Sequence, residues 1–253
     1  MDRFSVNTRT ADQVGTALGT GFSQYMVSRI NERLSVDVLV IDLKGDAYTM
    51  KVAGRYVIVT KRTPVWFRQN FSLAHELGHI AFDTFHSPVA SDASTEGKAN
   101  AFAAELLMPE SQLRTLEWAT MSMTEFAQYV WDFGVSTKAL VNRLSTLRLP
   151  LSKNIEDARN QNTFSLLRRY WAPEATHMDQ TDPITVRRER SAQRSIPSGL
   201  TSRLETAVLA GKAPKQSLAF LLDVSVDDLD LGADDSDDSG DSDDVFLLGS
   251  ILS

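Results

Sequence analysis

His75, Glu76 and His79 stand in the run Leu73-Ala74-His75-Glu76-Leu77-Gly78-His79-Ile80, a His-Glu-x-x-His spacing among apolar residues. On a helix of about 3.6 residues per turn, positions 75 and 79 lie one above the other, about 40° apart around the axis. Two imidazoles on one face can bind one metal ion. Glu76, about 100° round, can reach the open side of that metal and take a proton from a water there. Inside a stretch holding Phe71, Leu73, Leu77, Ile80 and Phe82, these polar groups would be costly to bury without a partner. The bland alternative is a surface helix with two stray histidines, and it leaves unexplained why two of the chain's four histidines fall in this motif.

Zinc in a catalytic site takes three protein ligands and a water. The chain has no cysteine, which excludes thiolate sites and disulfide scaffolds and leaves His, Asp or Glu as third ligand. A metzincin continuation requires Gly at position 82 and His at position 85, where this chain has Phe82 and Phe85. His86 stays open as a loop histidine. On the next helix the candidates are Glu96 and Glu105. With Glu96 set at 0°, the apolar positions Ala99, Phe102, Ala103, Leu106 and Leu107 fall between about 240° and 20°, whereas Glu105 falls near 180°. Glu96 therefore borders the inward face and is favoured, and Glu105 points away. Ala99 and Ala103 are small enough to let two helices approach closely. Asn100, about 40° from Glu96, can support a ligand by hydrogen bonding.

These residues need elements to position them. Residues 11–34 carry an amphipathic helical pattern weakened by Gly15, Gly19 and Gly21. Residues 36–43, 47–52 and 56–60 read as short strands joined by turns at Lys44-Gly45-Asp46 and Gly54-Arg55, a small antiparallel sheet. After Pro64 a helix runs through Trp66 to Phe82 and carries the motif. Residues 84–95 read as a loop, and Thr95 is placed to cap a helix from Glu96 to Leu107 that Pro109 ends. Residues 110–149 are helical with a break at Asp132-Phe133-Gly134; within them, residues 124–149 resemble a helix-turn-helix, with Gly134 in the turn and Ser136 as cap. Its second helix offers only Lys138 and Arg143, too little cation for a DNA surface, so a packing or docking role is favoured. Helical stretches return at 200–210 and 215–222, the segment to Leu231 resembling a small protein-interaction module.

The pattern His75-Glu76-Leu77-Gly78-His79, then Glu96-Gly97-Lys98-Ala99-Asn100-Ala101-Phe102-Ala103, then Leu106-Leu107-Met108-Pro109, strongly resembles the ImmA/IrrE family of zinc metallopeptidases. The likeness covers about residues 60–150 and adds support for Glu96 as third ligand. It implies an α+β fold with a zincin-like, gluzincin-type core, and one zinc ion per chain as cofactor. It also implies that the partner is a protein substrate, a helix-turn-helix transcriptional repressor cleaved in a bacterial or phage and mobile-element switch. On this reading His75, His79 and Glu96 hold the metal, Glu76 is the catalytic base, and His86, Tyr48 or Tyr56 could steady the oxyanion. An extended substrate could add to an open edge of the sheet. The rival reading is a non-catalytic regulator that binds DNA or a repressor and keeps the metal for structure.

The net charge of −7 is unevenly spread. Eleven acidic and no basic residues lie from Asp223 onward, leaving 22 acidic against 26 basic before it, a net of +4. The expected organisation is a metallopeptidase domain over residues 1–150, a mostly helical accessory region over 151–231, and a disordered acidic tail with an apolar end over 232–253. Arg187, Arg188, Arg190 and Arg194, with Arg168 and Arg169, offer the best surface for a nucleic acid or an acidic partner, a solvated loop being the alternative. No apolar run reaches the length of a membrane span and the first residues lack a signal-peptide pattern, so a cytoplasmic protein is expected.

Overall fold

The computed structural model describes residues 3–52, 54–84, 93–171 and 182–229. A capping box between Thr10 and Gln13 opens α1 (Ala11–Leu18). The single helix expected over residues 11–34 is broken after one segment. Gly19 (φ 81°) and Gly21 (φ 66°) take left-handed backbone, and the chain passes through a short 3-10 turn, Phe22–Tyr25, before α2 (Met26–Arg33).

Three strands follow: β1 (Val36–Ile41), β2 (Ala47–Val52) and β3 (Arg55–Lys61). Their order is β1-β3-β2, with β2 and β3 antiparallel through the turn at Gly54 (φ 76°) and β1 and β3 parallel. The sheet is therefore mixed, a correction to the antiparallel expectation. The reason lies in β1, buried at all six positions. A strand buried on both faces suits a sheet covered on both sides, where parallel pairing is at home. Val36, Val38, Val40 and Ile58 face the main core; Leu39, Ile41, Met50, Val57 and Val59 face a second cluster. β2 ends the sheet and is only partly buried.

Helix α3 (Trp66–Phe82) lies between the sheet and α4 (Ala93–Leu107). The latter starts before Thr95, which is inside the helix and does not cap it. α5 (Glu110–Leu113) leads to the pair α6 (Met123–Phe133) and α7 (Thr137–Thr146). Gly134 (φ 64°) makes the turn of that pair and the Ser136 hydroxyl accepts from the Ala139 amide. Leu140, Val141 and Leu144 are buried, so the inner face of the second helix is spent on the core. The core continues through α8 (Lys153–Ala158), α9 (Thr163–Tyr170) and α10 (Pro183–Ser191), whose Ile155, Ala158, Leu166, Leu167 and Ile184 join the cluster that holds Leu73, Leu77 and Ile80. α11 (Ser198–Leu209) and α12 (Lys215–Leu222) lay Leu200, Leu204, Val208, Leu218 and Leu221 on the far face of the sheet.

Arg187 does not belong to a surface. It is 3% exposed, its guanidinium 5.0 Å from the Trp66 ring centroid and 4.7 Å from that of Trp131, donating to the carbonyls of Trp131 and Ser23. Two indole faces and two carbonyls replace water around the cation. Desolvation pushes Arg187 down to about 9, still charged at neutral pH. The acidic tail from residue 230 and His86 lie outside the described residues. Among the described residues no helix is long and apolar enough to cross a membrane.

Candidate metal centre

The middle of α3 packs against α4 at unusually short range, and the cause is Gly78. A Cβ there would sit 3.0 Å from the Ala99 Cα and 3.1 Å from its carbonyl oxygen. Small residues on both helices thus bring the first turn of α4 up to the face that carries His75 and His79. Glu96 rides on that turn. His75 Nε2 lies 3.1 Å from Glu96 Oε2, His79 Nε2 lies 3.4 Å from Glu96 Oε1, and the two Nε2 atoms are 3.0 Å apart. Glu105 is elsewhere: its carboxylate pairs with Arg143 and accepts from the Glu110 amide.

The remaining ring nitrogens determine which tautomers are present. His75 Nδ1 lies 3.1 Å from Asn100 Oδ1, which can only accept, so Nδ1 carries the proton. Thr84 Oγ1 lies 2.9 Å from His79 Nδ1 and donates its own proton to the His79 carbonyl oxygen, which leaves the hydroxyl to accept from Nδ1. Both imidazoles then present an unprotonated Nε2 to Glu96. In these tautomers three lone-pair donors lie 3.0–3.4 Å apart, an arrangement that a bound cation stabilises. Zinc–ligand bonds of about 2.0–2.1 Å in tetrahedral array require donor atoms about 3.3 Å apart, and the observed spacing fits. The donor set of two imidazoles and a carboxylate suits zinc chemically. Burial holds His79 below its usual value, so the neutral, ligand-ready form prevails near pH 7.

Glu76 sits on α3 beside this cluster, 8% exposed. Burial raises its pKa above the ordinary 4.5, helped by the Glu96 charge, while the Thr49 hydroxyl and the His75 charge oppose the rise. Thr49 donates to Glu76 Oε2 at 2.7 Å from β2. The structure brings His75, His79, Glu96 and Asn100 together as the sequence suggested. Thr49 and Thr84 escaped it: one depends on the register of a strand far from the motif, the other on how α3 ends. That end is a left-handed Asp83 (φ 56°) with the Thr84 amide returning to the His79 carbonyl at 2.9 Å. Of the residues offered for an oxyanion, Tyr48 packs in the second cluster on the opposite face of the sheet from Thr49 and is out of reach. The Tyr56 hydroxyl is hydrogen-bonded by Asn7.

Residues 31–145 match a peptidase family model described as the IrrE N-terminal-like domain. No curated protein matches the chain. The matched stretch runs from the end of α2 through the sheet, α3 and α4 to the last turn of α7, and it contains the three motif elements in order. With the donor cluster in its middle, residues 31–145 form an IrrE N-terminal-like domain of the ImmA/IrrE peptidase type.

Proposed function

We propose that the chain is a zinc-dependent endopeptidase of gluzincin type, with one zinc ion held by His75, His79 and Glu96 and with Glu76 as general base. The observation that carries this reading is the meeting of one possible ligand atom each from His75, His79 and Glu96 beside a buried carboxylate. Zinc, when bound, supplies a Lewis acid for the scissile carbonyl and acidifies the attacking water. Asn100 and Thr84 fix the two imidazole rings so that both Nε2 lone pairs face the same point. Glu76 takes a proton from the attacking water on its carboxylate and returns it to the leaving amine nitrogen. Burial makes this carboxylate more basic than an exposed glutamate, which suits proton transfer near neutral pH. Thr49 holds Oε2 and thereby orients the group.

Thr49 also belongs to β2, the terminal strand of the sheet. An extended substrate segment adding to β2 would pass beside Glu76 with its backbone aligned. The substrate is a helix-turn-helix transcriptional repressor in a bacterial or mobile-element switch, which puts the enzyme in the cytoplasm. The support is the family resemblance. The test pairs the purified chain with a small helix-turn-helix repressor, one encoded beside its gene where the locus holds such a gene. Wild type should hold one zinc per chain and cleave that protein, and Glu76→Gln should keep the zinc and lose cleavage. A Glu76→Gln protein with undiminished cleavage or biological activity would favour the non-catalytic regulator and sink the peptidase reading.

A further inference from the structure

A cavity lies away from the metal cluster, between the Phe22–Tyr25 turn and α2 on one side and the end of α10 on the other, floored by β1 and the first turns of α3. Its volume is about 320 Å³, at the small end of ligand sites, where a metabolite fits and a polymer does not. None of His75, Glu76, His79 or Glu96 lines it.

Its charge is what sets it apart. Arg187 and Arg190 stand one turn apart on α10, Arg194 follows three residues past the helix end, and all three line the cavity. The single acidic residue in the lining is Glu32, so three cations face one carboxylate and the wall carries a net charge of +2. Among the described residues no carboxylate forms an ion pair with any of the three arginines. Their partners are neutral: Arg190 donates to the Gln24 carbonyl and covers the Tyr25 ring, and Arg194 donates to the carbonyls of Phe220 and Leu221. A guanidinium has five N–H donors, and each of these two uses only one nitrogen that way. The like charge of Arg190, after desolvation, also pushes Arg187 down, and the Asp132 and Tyr25 charges oppose that shift. A fold that gathers three cations around a hollow with one carboxylate in its wall gains from an anion that fills it.

We propose that this cavity binds a small organic dianion, a dicarboxylate or a phosphomonoester, through Arg190 and Arg194 above the buried charge of Arg187. Two negative charges neutralise the wall. Arg187 supplies field from below, since its own N–H groups are committed to Trp131 and Ser23. The site depends on residues on both sides of the family-matched stretch and is independent of the peptidase reading.

The test is calorimetric titration of the full-length, zinc-loaded protein with succinate and, separately, with inorganic phosphate. At least one probe should bind saturably with one site, and which of them binds tighter assigns carboxylate or phosphate chemistry. The double variant Arg190→Gln with Arg194→Gln should keep its zinc content and weaken binding by about tenfold or more, since each charge-assisted hydrogen bond lost is worth roughly that factor. If circular dichroism shows the double variant unfolded, Arg190→Gln alone is read by the same criterion, with Arg190→Lys expected to fall in between because it keeps the charge and loses the fork. No saturable binding of either probe, or variants that titrate like wild type, would overturn the proposal; the second result also catches phosphate held at the metal.

Discussion

Asn100 and Thr84 never touch the metal point, yet they decide which nitrogen of each histidine carries the proton. Removing either partner frees its ring to rotate and to change tautomer, and outer partners of this kind are worth roughly 10–100-fold in metal affinity. Asn100→Ala and Thr84→Val should each weaken zinc binding by about that range in a competitive chelator titration, with thermal stability of the metal-free protein little changed. Thr49 acts on the base instead. Its hydroxyl favours the ionised Glu76, so Thr49→Val should raise the Glu76 pKa further. A base must be ionised to work, and the acidic limb of kcat/KM should therefore move to higher pH, with Thr49→Ser restoring it. The same raised pKa has a stability consequence in the metal-free protein. Between the unfolded value near 4.5 and the higher folded value, the folded state holds a proton that the unfolded state has lost. Stability falls as pH rises through that window, and Glu76→Gln should remove the slope and not lower Tm at neutral pH. The histidines, Glu76 and Glu96 were legible because side-chain direction on a helix follows from spacing alone. Thr49 and Thr84 were not, since each needs a register or a chain reversal that the spacing does not encode.

At the scale of elements, the crossing of α3 and α4 is the device that assembles the site, and Gly78 is its contact point. Alanine at a helix interior is worth about 1 kcal/mol over glycine. Here the added Cβ meets backbone atoms of Ala99 at 3.0–3.1 Å, which cannot swing aside as a side chain can. Overpacking of this sort costs roughly 1–3 kcal/mol. The clash should win: Gly78→Ala should lose about 1 kcal/mol in urea denaturation and also weaken zinc binding, because α4 carries Glu96. A gain in stability with unchanged zinc affinity would show that α4 yields freely. The small residues at 99 and 103 signalled this contact in the sequence, and Gly78 is the partner that the structure adds. The parallel pairing of β1 with β3 did not show there, because a period of two fixes which face a residue occupies and says nothing of strand order. The nearly continuous apolar run of β1, interrupted only by Asp37, was the available hint.

For the whole molecule, the question is what the residues outside the matched 31–145 stretch contribute. The far face of the sheet presents Leu39, Ile41, Met50, Val57 and Val59, and α11 with α12 covers it. Asp37, 1% exposed, is paired with Arg3, Arg55 and Arg203, so strand, N-terminal segment and α11 share one buried carboxylate. Sequence alone read Arg187 as surface and the region beyond Lys215 as a partner module, because charge and apolar spacing cannot tell a surface from an interface within the chain. A chain ended at Pro197 should therefore uncover apolar surface and leave Arg3 and Arg55 on Asp37 without Arg203. It should bind a hydrophobic dye, aggregate, and fail to hold zinc stoichiometrically. A chain ended at Leu229 keeps every contact among the described residues of both clusters and loses 24 residues, 8 of them acidic. It should hold one zinc with unaltered affinity and unfold at the Tm of the full chain. Equal behaviour of the two truncations would mean that the helical pair on the far face is dispensable. Loss of zinc in the longer one would place part of the metal site's support in the acidic tail.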